Sequence, residues 1–383
     1  MEKHKTILIV AGETSGDQHA SNLVKALKEL DPNLSFFGLG GPKLREQGVS
    51  LLFNLVELAV VGIWEVIKHY GKFKKIFIAL LREIDAKKPD AAILIDYPGF
   101  NLKLVRELKK RNIPVIYYIS PQLWAWGKER INIIKKNVAL MIVFFKFEEE
   151  MYRKADVPVF WCGHPLLENC VPPEPKEQFL SSLGFDAKKI TIALLPGSRE
   201  KEVMILLPIM LKAAEIIRSN FKEKIQFIIF RSSSVKNELF ADACARADIQ
   251  PAIVTDRVSQ DLVSADFALV ASGTATLDTA IAGVPMLILY KTSLLTWLFG
   301  TMVIKIPYIG LVNVVRGKKF IEEFIQFDAK PEKIALYAIK IIQNPSLSSA
   351  IKKELVFIIK SLGEKGASRR AAERITGFLS CPK

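Results

Sequence analysis

Much of what would announce a chemistry at first sight is missing from this chain of 383 residues. It has only four cysteines, Cys162, Cys170, Cys244 and Cys381, and no C-x-x-C pair among them. A disulfide framework and a zinc ribbon are therefore excluded, and isolated reduced thiols point to the cytoplasm. The four histidines, His4, His19, His69 and His164, show no zinc-ligand spacing. There is no D-x-D pair to hold a metal against a diphosphate, and no G-x-x-x-x-G-K-[ST] loop. The longest charge-free apolar run, TSLLTWLFGTMVI between Lys291 and Lys305, falls short of the roughly 18 residues a spanning helix needs. The N-terminus has a basic start but no extended apolar core or small-residue cleavage site, so no secretory signal is expected. Neither a zinc finger nor an RRM aromatic motif is found, and no nucleic-acid partner is expected.

What is present reads as a well-filled globular chain. Half the residues are hydrophobic, a quarter are charged, and the formal net charge is +14. Such a balance suits an acidic partner, either a phosphorylated small molecule or an anionic membrane surface. Continuous apolar runs predict strands at Thr6–Ala11, Ser35–Leu39, Ala91–Ile95, Ile113–Ile119 and Leu140–Phe145. After a proline-rich break, VPPEP at 171–175, they resume at Ile190–Leu195, Ile225–Phe230, Ala252–Val254, Phe267–Val270 and Pro285–Leu289, with helices between. Strands that are apolar throughout belong to sheets covered on both faces. The expected fold class is therefore α/β, with two doubly wound Rossmann-like domains facing a central cleft. The expected division is residues 1–170, residues 171–345, and C-terminal helices over 346–383 packing back on the first domain. Ligands of such sheets bind beyond the C-terminal ends of the strands.

Five motifs fall there. Gly12-Glu13-Thr14-Ser15-Gly16-Asp17 follows the first strand. Its glycines let backbone approach a ligand, and its acidic residues suit sugar hydroxyls better than a dinucleotide; Asp17 could equally be a helix cap. Asp96-Tyr97-Pro98-Gly99-Phe100-Asn101 puts a carboxylate at a strand end, either as a general base or as a cap. Ser120-Pro121-Gln122-Leu123-Trp124-Ala125-Trp126 carries two tryptophans suited to sugar faces, an apolar channel or the core. Gly197-Ser198-Arg199 combines a turn glycine, a hydroxyl and a guanidinium, the set a diphosphate needs. Ser272-Gly273-Thr274 is a second phosphate-suited turn, and Asp278 lies about one helical turn further on, within reach of a ribose diol.

Taken together and in order, the segments GETSGD (12–17), GLGGPKLREQG (38–48), DYPGFN (96–101), SPQLWAW (120–126), CGHPLLE (162–168), LLPGSREKEV (194–203), ASGTATLD (271–278) and PYIGLVNVVRGKKFIEEFIQ (307–326) resemble the lipid-A-disaccharide synthase family. The resemblance implies a glycosyltransferase-B fold and an inverting, metal-independent transfer without cofactor. The sugar of UDP-2,3-diacylglucosamine passes to the 6-hydroxyl of 2,3-diacylglucosamine 1-phosphate, in lipid A assembly at the cytoplasmic face of a Gram-negative inner membrane. By position it implies that Asp96 is the catalytic base, and that Glu13 and Asp17, catalytic residues of the family's first loop, contact acceptor or donor sugar. Ser15, Gly16, Asn101, Trp124 and Trp126 would line the substrate. Gly197, Ser198 and Arg199 would hold the diphosphate, supported by Ser272, Gly273 and Thr274, and Asn313 would belong to the nucleotide site. Where the family usually carries glutamate this chain has Asp278, one methylene shorter, and where it usually carries glycine this chain has Ala20.

Acylated substrates need access to a membrane. The basic-apolar stretch Val60–Leu81 and the apolar Leu294–Ile304 are the expected contact segments, each with the alternative of a core helix bearing a solvated face. The choice between monomer and homodimer stays open. Competing readings are another UDP-sugar enzyme of this fold, a 2-epimerase or a peptidoglycan-precursor transferase, and a non-catalytic nucleotide-sugar-binding protein.

Overall fold

The structure, a computed structural model, describes residues 4–55, 70–125, 127–169, 172–303 and 306–380. In chain order it begins with β1 (Lys5–Ala11), α1 (Thr14–Leu30), β2 (Leu34–Gly40), α2 (Pro42–Glu46), β3 (Ser50–Asn54), α3 (Tyr70–Lys87), β4 (Ala91–Ile95) and α4 (Pro98–Lys110). It continues with β5 (Val115–Tyr118), α5 (Ile131–Asn137), β6 (Leu140–Val143), α6 (Lys146–Lys154) and β7 (Val159–Trp161). A second series follows: α7 (Lys176–Ser182), β8 (Ile190–Leu195), α8 (Glu200–Phe221), β9 (Ile225–Arg231), α9 (Asn237–Ala245), β10 (Ala252–Thr255), α10 (Val258–Asp261) and β11 (Phe267–Ala271). The chain ends with α11 (Ala275–Ile281), β12 (Met286–Tyr290), α12 (Leu294–Val303), α13 (Leu311–Arg316), β13 (Glu323–Ile325), α14 (Pro331–Ile342), α15 (Pro345–Ser361) and α16 (Ala367–Ser380).

Two compact units result, residues 1–168 with 362–383, and residues 169–361. The stretch 346–383 therefore does not stand as one piece. Helix α15 stays with the second unit, while α16 returns to pack on α1 of the first. That return is pinned chemically: the Glu168 carboxylate accepts from the backbone N–H and hydroxyl of Ser368 at 2.6 and 2.7 Å. Arg370 Nε donates to the Cys162 carbonyl at 2.9 Å.

Each unit is a parallel sheet. The first has strand order β3-β2-β1-β4-β5-β6-β7, the second β10-β9-β8-β11-β12-β13. The central strands are buried along almost their whole length, Ile7–Ala11, Ala91–Ile95 and Phe267–Ala271 among them. This is why their sequences are apolar without alternation. The strands that hydropathy did not reveal, β3, β7 and β13, lie at sheet edges and are short and only partly buried.

The strand order reverses at the β1–β4 pair in the first sheet and at β8–β11 in the second. Register places Ala11 beside Ile95 and Leu195 beside Val270. The turns that leave these strands, at 12 and 96 and again at 196 and 272, therefore start side by side. Doubly wound sheets bind ligands at such reversals.

Of the expected membrane segments, residues 60–69 lie outside the described residues. From Tyr70 onward the stretch is α3. Its Ile76, Leu80 and Ile84 are core residues, and Lys72, Lys74 and Lys75 are exposed. That part is a core helix with a solvated basic face. Helix α12 instead leaves Leu294 63% and Leu298 54% exposed. Among the described residues no helix is long and apolar enough to cross a membrane.

Candidate functional site: turns at the two strand reversals

In the first unit the chain leaves β4 through Asp96 and Tyr97, both left-handed at φ 42° and 46°. Neither is glycine, so each costs about 1–2 kcal/mol, and the surroundings must hold the turn in place. They do so at the Asp96 carbonyl, which accepts from Tyr117 Oη at 2.6 Å and Asn101 Nδ2 at 2.8 Å. Asn101 Nδ2 also donates to the Ile95 carbonyl at 3.1 Å. Asn101 is fully buried, and its Nδ2 serves the turn while its Oδ1 accepts no hydrogen bond among the described residues.

The Tyr97 ring lies over Gly12. A Cβ at Gly12 would come within 2.2 Å of Tyr97 Cγ, so glycine is required where the two turns meet. Burial raises the Asp96 carboxyl to about 7, the nearby Glu13 carboxylate adds to that, and the Tyr97 backbone N–H opposes it. A carboxylate that titrates near neutrality is suited to general-base work.

The acidic pair of the first motif divides. Glu13 is exposed at the N-cap of α1 with its side chain free of a cap bond, near enough to Asp96 to act on its charge. Ser15 beside it is also exposed, and Gly16 is buried against Ile95. Asp17, in contrast, is 2% exposed. Its Oδ1 accepts from the N–H of Gly41 at 2.7 Å and of Leu44 at 3.3 Å, and its Oδ2 from that of Lys43 at 2.9 Å. It caps α2 from the first turn of α1. Its carboxylate is engaged by three amides of the 41–44 turn and holds that turn in place.

The tryptophan motif follows β5. Trp124 is half-buried, edge-on to Phe147 with centroids 5.7 Å apart, and Trp126 lies outside the described residues. Behind Trp124 sits the buried Glu148, whose side chain accepts from the Phe145 N–H at 3.3 Å. Burial pushes its carboxyl to about 8 against the pull of Phe145, Trp124 and Ser120.

In the second unit, Gly197 turns at φ 114°, and a Cβ there would come within 2.7 Å of a Glu202 carboxylate oxygen. Only glycine fits. Ser198 is exposed, and Arg199 follows at the N-cap of α8 with its side chain 76% exposed, touching Glu202 at 3.1 Å. The neighbouring turn has Gly273 at φ 151° with open space beside it and an exposed Thr274. The Ser272 hydroxyl donates to the Ile309 carbonyl at 3.0 Å, tying this turn to the 307–310 segment. Asp278, further along α11, is raised to about 7 by burial.

Asn313 lies in α13, downstream of the 307–310 segment. It is fully buried, its Nδ2 donates to the Ile321 carbonyl and to Glu323, both at 2.8 Å, and its Oδ1 accepts from the N–H groups of Phe320 and Ile321. It shapes the 309–323 segment from within. One contributor went unnoticed in the sequence: the Ser232-Ser233-Ser234 turn after β9. Ser234 Oγ donates to the Ser198 carbonyl at 2.8 Å, and the Ser233 N–H donates to Asp256. A run of three small hydroxyl residues directly after a buried strand was the available signal.

Two parallel doubly wound domains with turns of this kind at both reversals define the glycosyltransferase-B class. Solved structures agree on the fold. The Neisseria meningitidis UDP-GlcNAc 2-epimerase bound to UDP-GlcNAc is similar at a TM-score of 0.60 and 12% identity, over 98% of this chain and 99% of that one. The calicheamicin glycosyltransferase CalG4 matches at 0.60 and 13%, over the whole of both chains. The family model for lipid-A-disaccharide synthetase matches residues 7–375, and the chain belongs to that family of glycosyltransferases. Lipid-A-disaccharide synthases of Syntrophus aciditrophicus (43% identical, 96% of each chain covered) and Geobacter sulfurreducens (40%, 97% of each) are among its relatives.

Proposed function

We propose that this chain transfers 2,3-diacylglucosamine from UDP-2,3-diacylglucosamine to the 6-hydroxyl of 2,3-diacylglucosamine 1-phosphate. The products are the β-1,6-linked disaccharide 1-phosphate and UDP. The observation that carries the reading is the Asp96 carboxylate, held at a strand reversal beside Gly12 and Glu13 and tuned by burial to about 7. Asp96 takes the proton of the 6-hydroxyl as its oxygen attacks the anomeric carbon. The bond from that carbon to the UDP oxygen breaks, and its electron pair leaves on the diphosphate. Arg199 and the Gly197 and Gly273 turns take up the developing charge, and Asp278 addresses the ribose. A single displacement inverts the anomeric centre.

The same reading places the protein peripherally at the cytoplasmic face of an inner membrane, where its acylated substrates reside. The exposed Leu294 and Leu298 of α12 and the basic balance of the chain support contact with anionic lipid.

The test is turnover of purified protein with both acylated substrates and a chelator present, following UDP release and the linkage of the product. A β-1,6 disaccharide 1-phosphate is expected. Epimerisation of UDP-N-acetylglucosamine at C2, or UDP release that requires no acylated acceptor, would overturn the reading.

A further inference from the structure

We infer that Tyr117 and Asn101 are positioning residues for the Asp96 carboxylate, acting through the backbone on which it is mounted. The inference rests on the proposed role of Asp96 as base and extends it to two residues that never meet the substrate.

The geometry is specific. Asp96 and Tyr97 turn left-handed in succession, and the carbonyl joining them points inward. Two donors from different elements meet on that one oxygen: the Tyr117 hydroxyl from β5 at 2.6 Å and Asn101 Nδ2 from α4 at 2.8 Å. Asn101 bridges onward to the Ile95 carbonyl at 3.1 Å, and the Asp96 N–H donates to the Tyr118 carbonyl at 3.1 Å. The peptide groups on both sides of the Asp96 Cα are thereby fixed, and with them the direction in which its side chain leaves the sheet. Both clamp residues are fully buried. Burial also holds the Tyr117 phenol well above its ordinary pKa, so it stays a donor throughout the working range of an enzyme. Without the clamp, two adjacent non-glycine residues would relax out of the left-handed region, and the base would lose its aim. Misplacement by about 1 Å costs a reaction of this kind on the order of 100-fold.

The experiment is a double-mutant cycle on the full chain, using Tyr117→Phe, Asp96→Asn and the pair. Tyr117→Phe keeps the ring and removes only the hydroxyl. Its kcat should fall by about 10- to 100-fold with KM for both substrates changed by less than about 2-fold. In the Asp96→Asn background the same substitution should cost less than about 2-fold, because the group it aims is already disabled. Equal losses in both backgrounds, a rise in KM at unchanged kcat, or no loss would each overturn the clamp. Unchanged turnover of Asp96→Asn alone would instead sink the assignment of the base, so the two failures can be told apart. If Tyr117→Phe does not fold, the alanine and serine variants of Asn101 carry the test. Asn101→Ser keeps one donor and should retain more kcat than Asn101→Ala at equal KM, and the reverse order would overturn the proposal.

Discussion

After β4 the chain turns through two side-bearing residues forced left-handed and clamped by buried donors. After β8 it turns through a glycine into an exposed arginine. Both turns sit at a strand reversal of a parallel sheet, yet the chemistry they build is opposite. The first unit buries a carboxyl until its pKa rises to about 7, which suits the base proposed for it. The second leaves Ser198, Thr274 and the Arg199 guanidinium exposed, which suits the diphosphate contact proposed for it. The shared fold supplies the location, while burial, backbone strain and side-chain commitment supply the function.

The comparison breaks most decisively at Asp96. Asp96→Asn removes the proton acceptor with little change of shape, and kcat should fall by about 10²- to 10⁴-fold. Affinity for UDP, measured by calorimetry, should stay within about 2-fold, because the proposed diphosphate contacts lie in the second unit. A parallel loss of UDP binding would show that the division of labour is wrong.

Arg199→Ala probes the other side. A charge-assisted bond to phosphate is worth roughly 1.5–3 kcal/mol, so kcat/KM for the donor should drop about 10- to 150-fold. UDP affinity should fall with it, while the pH at which kcat is half-maximal stays put. A shifted pH profile would mean that the guanidinium acts on the base as well.

Asp17→Asn separates structure from catalysis inside the first motif. Its carboxylate serves three amides of the 41–44 turn, and weakening them should cost about 1–3 kcal/mol of stability. Melting by circular dichroism should show a lower Tm, with kcat of the folded fraction reduced less than about 10-fold. A loss as large as that of Asp96→Asn, at unchanged Tm, would restore Asp17 to the chemistry.

These contrasts show how far the sequence could be read. The central strands were legible because burial on both faces writes a continuous apolar run, and each motif fell after a strand because the fold leaves its ligand-facing turns there. The edge strands β3, β7 and β13 were not legible: partly exposed and three to five residues long, they carry no such run. The surroundings of Asp17, Asn101 and Asn313 were hidden for a different reason. A polar residue in a ligand-suited turn has the same letter whether it faces solvent or caps a neighbour. Asp17 finds its partners more than twenty residues downstream at Gly41–Leu44, and Asn313 finds its own at Phe320–Glu323. Only the folded geometry shows that the Asp17 carboxylate and both ends of the Asn313 amide are already engaged. Asp96 was legible as a candidate, but its left-handed backbone and the Tyr117–Asn101 clamp had no pattern in the linear sequence.

The smallest expected effect is the sharpest test of how the base is tuned. Burial is the leading cause of the raised Asp96 pKa, and the Glu13 carboxylate is second. Glu13→Gln removes only the second, so the Asp96 pKa should move down. A base is active when ionised, so kcat should rise with pH as Asp96 loses its proton at about 7. The acid limb of the kcat profile should therefore move to lower pH by less than about one unit, the range expected when a minor neighbouring charge is removed. At pH 6 the variant should gain rate relative to the unmodified enzyme, and at pH 8.5, where Asp96 is ionised in both, that advantage should vanish. A loss of rate at every pH would mean that Glu13 touches substrate directly. An unmoved limb would leave burial alone to set the base, with the exposed acid of the first turn serving neither the proton nor its acceptor.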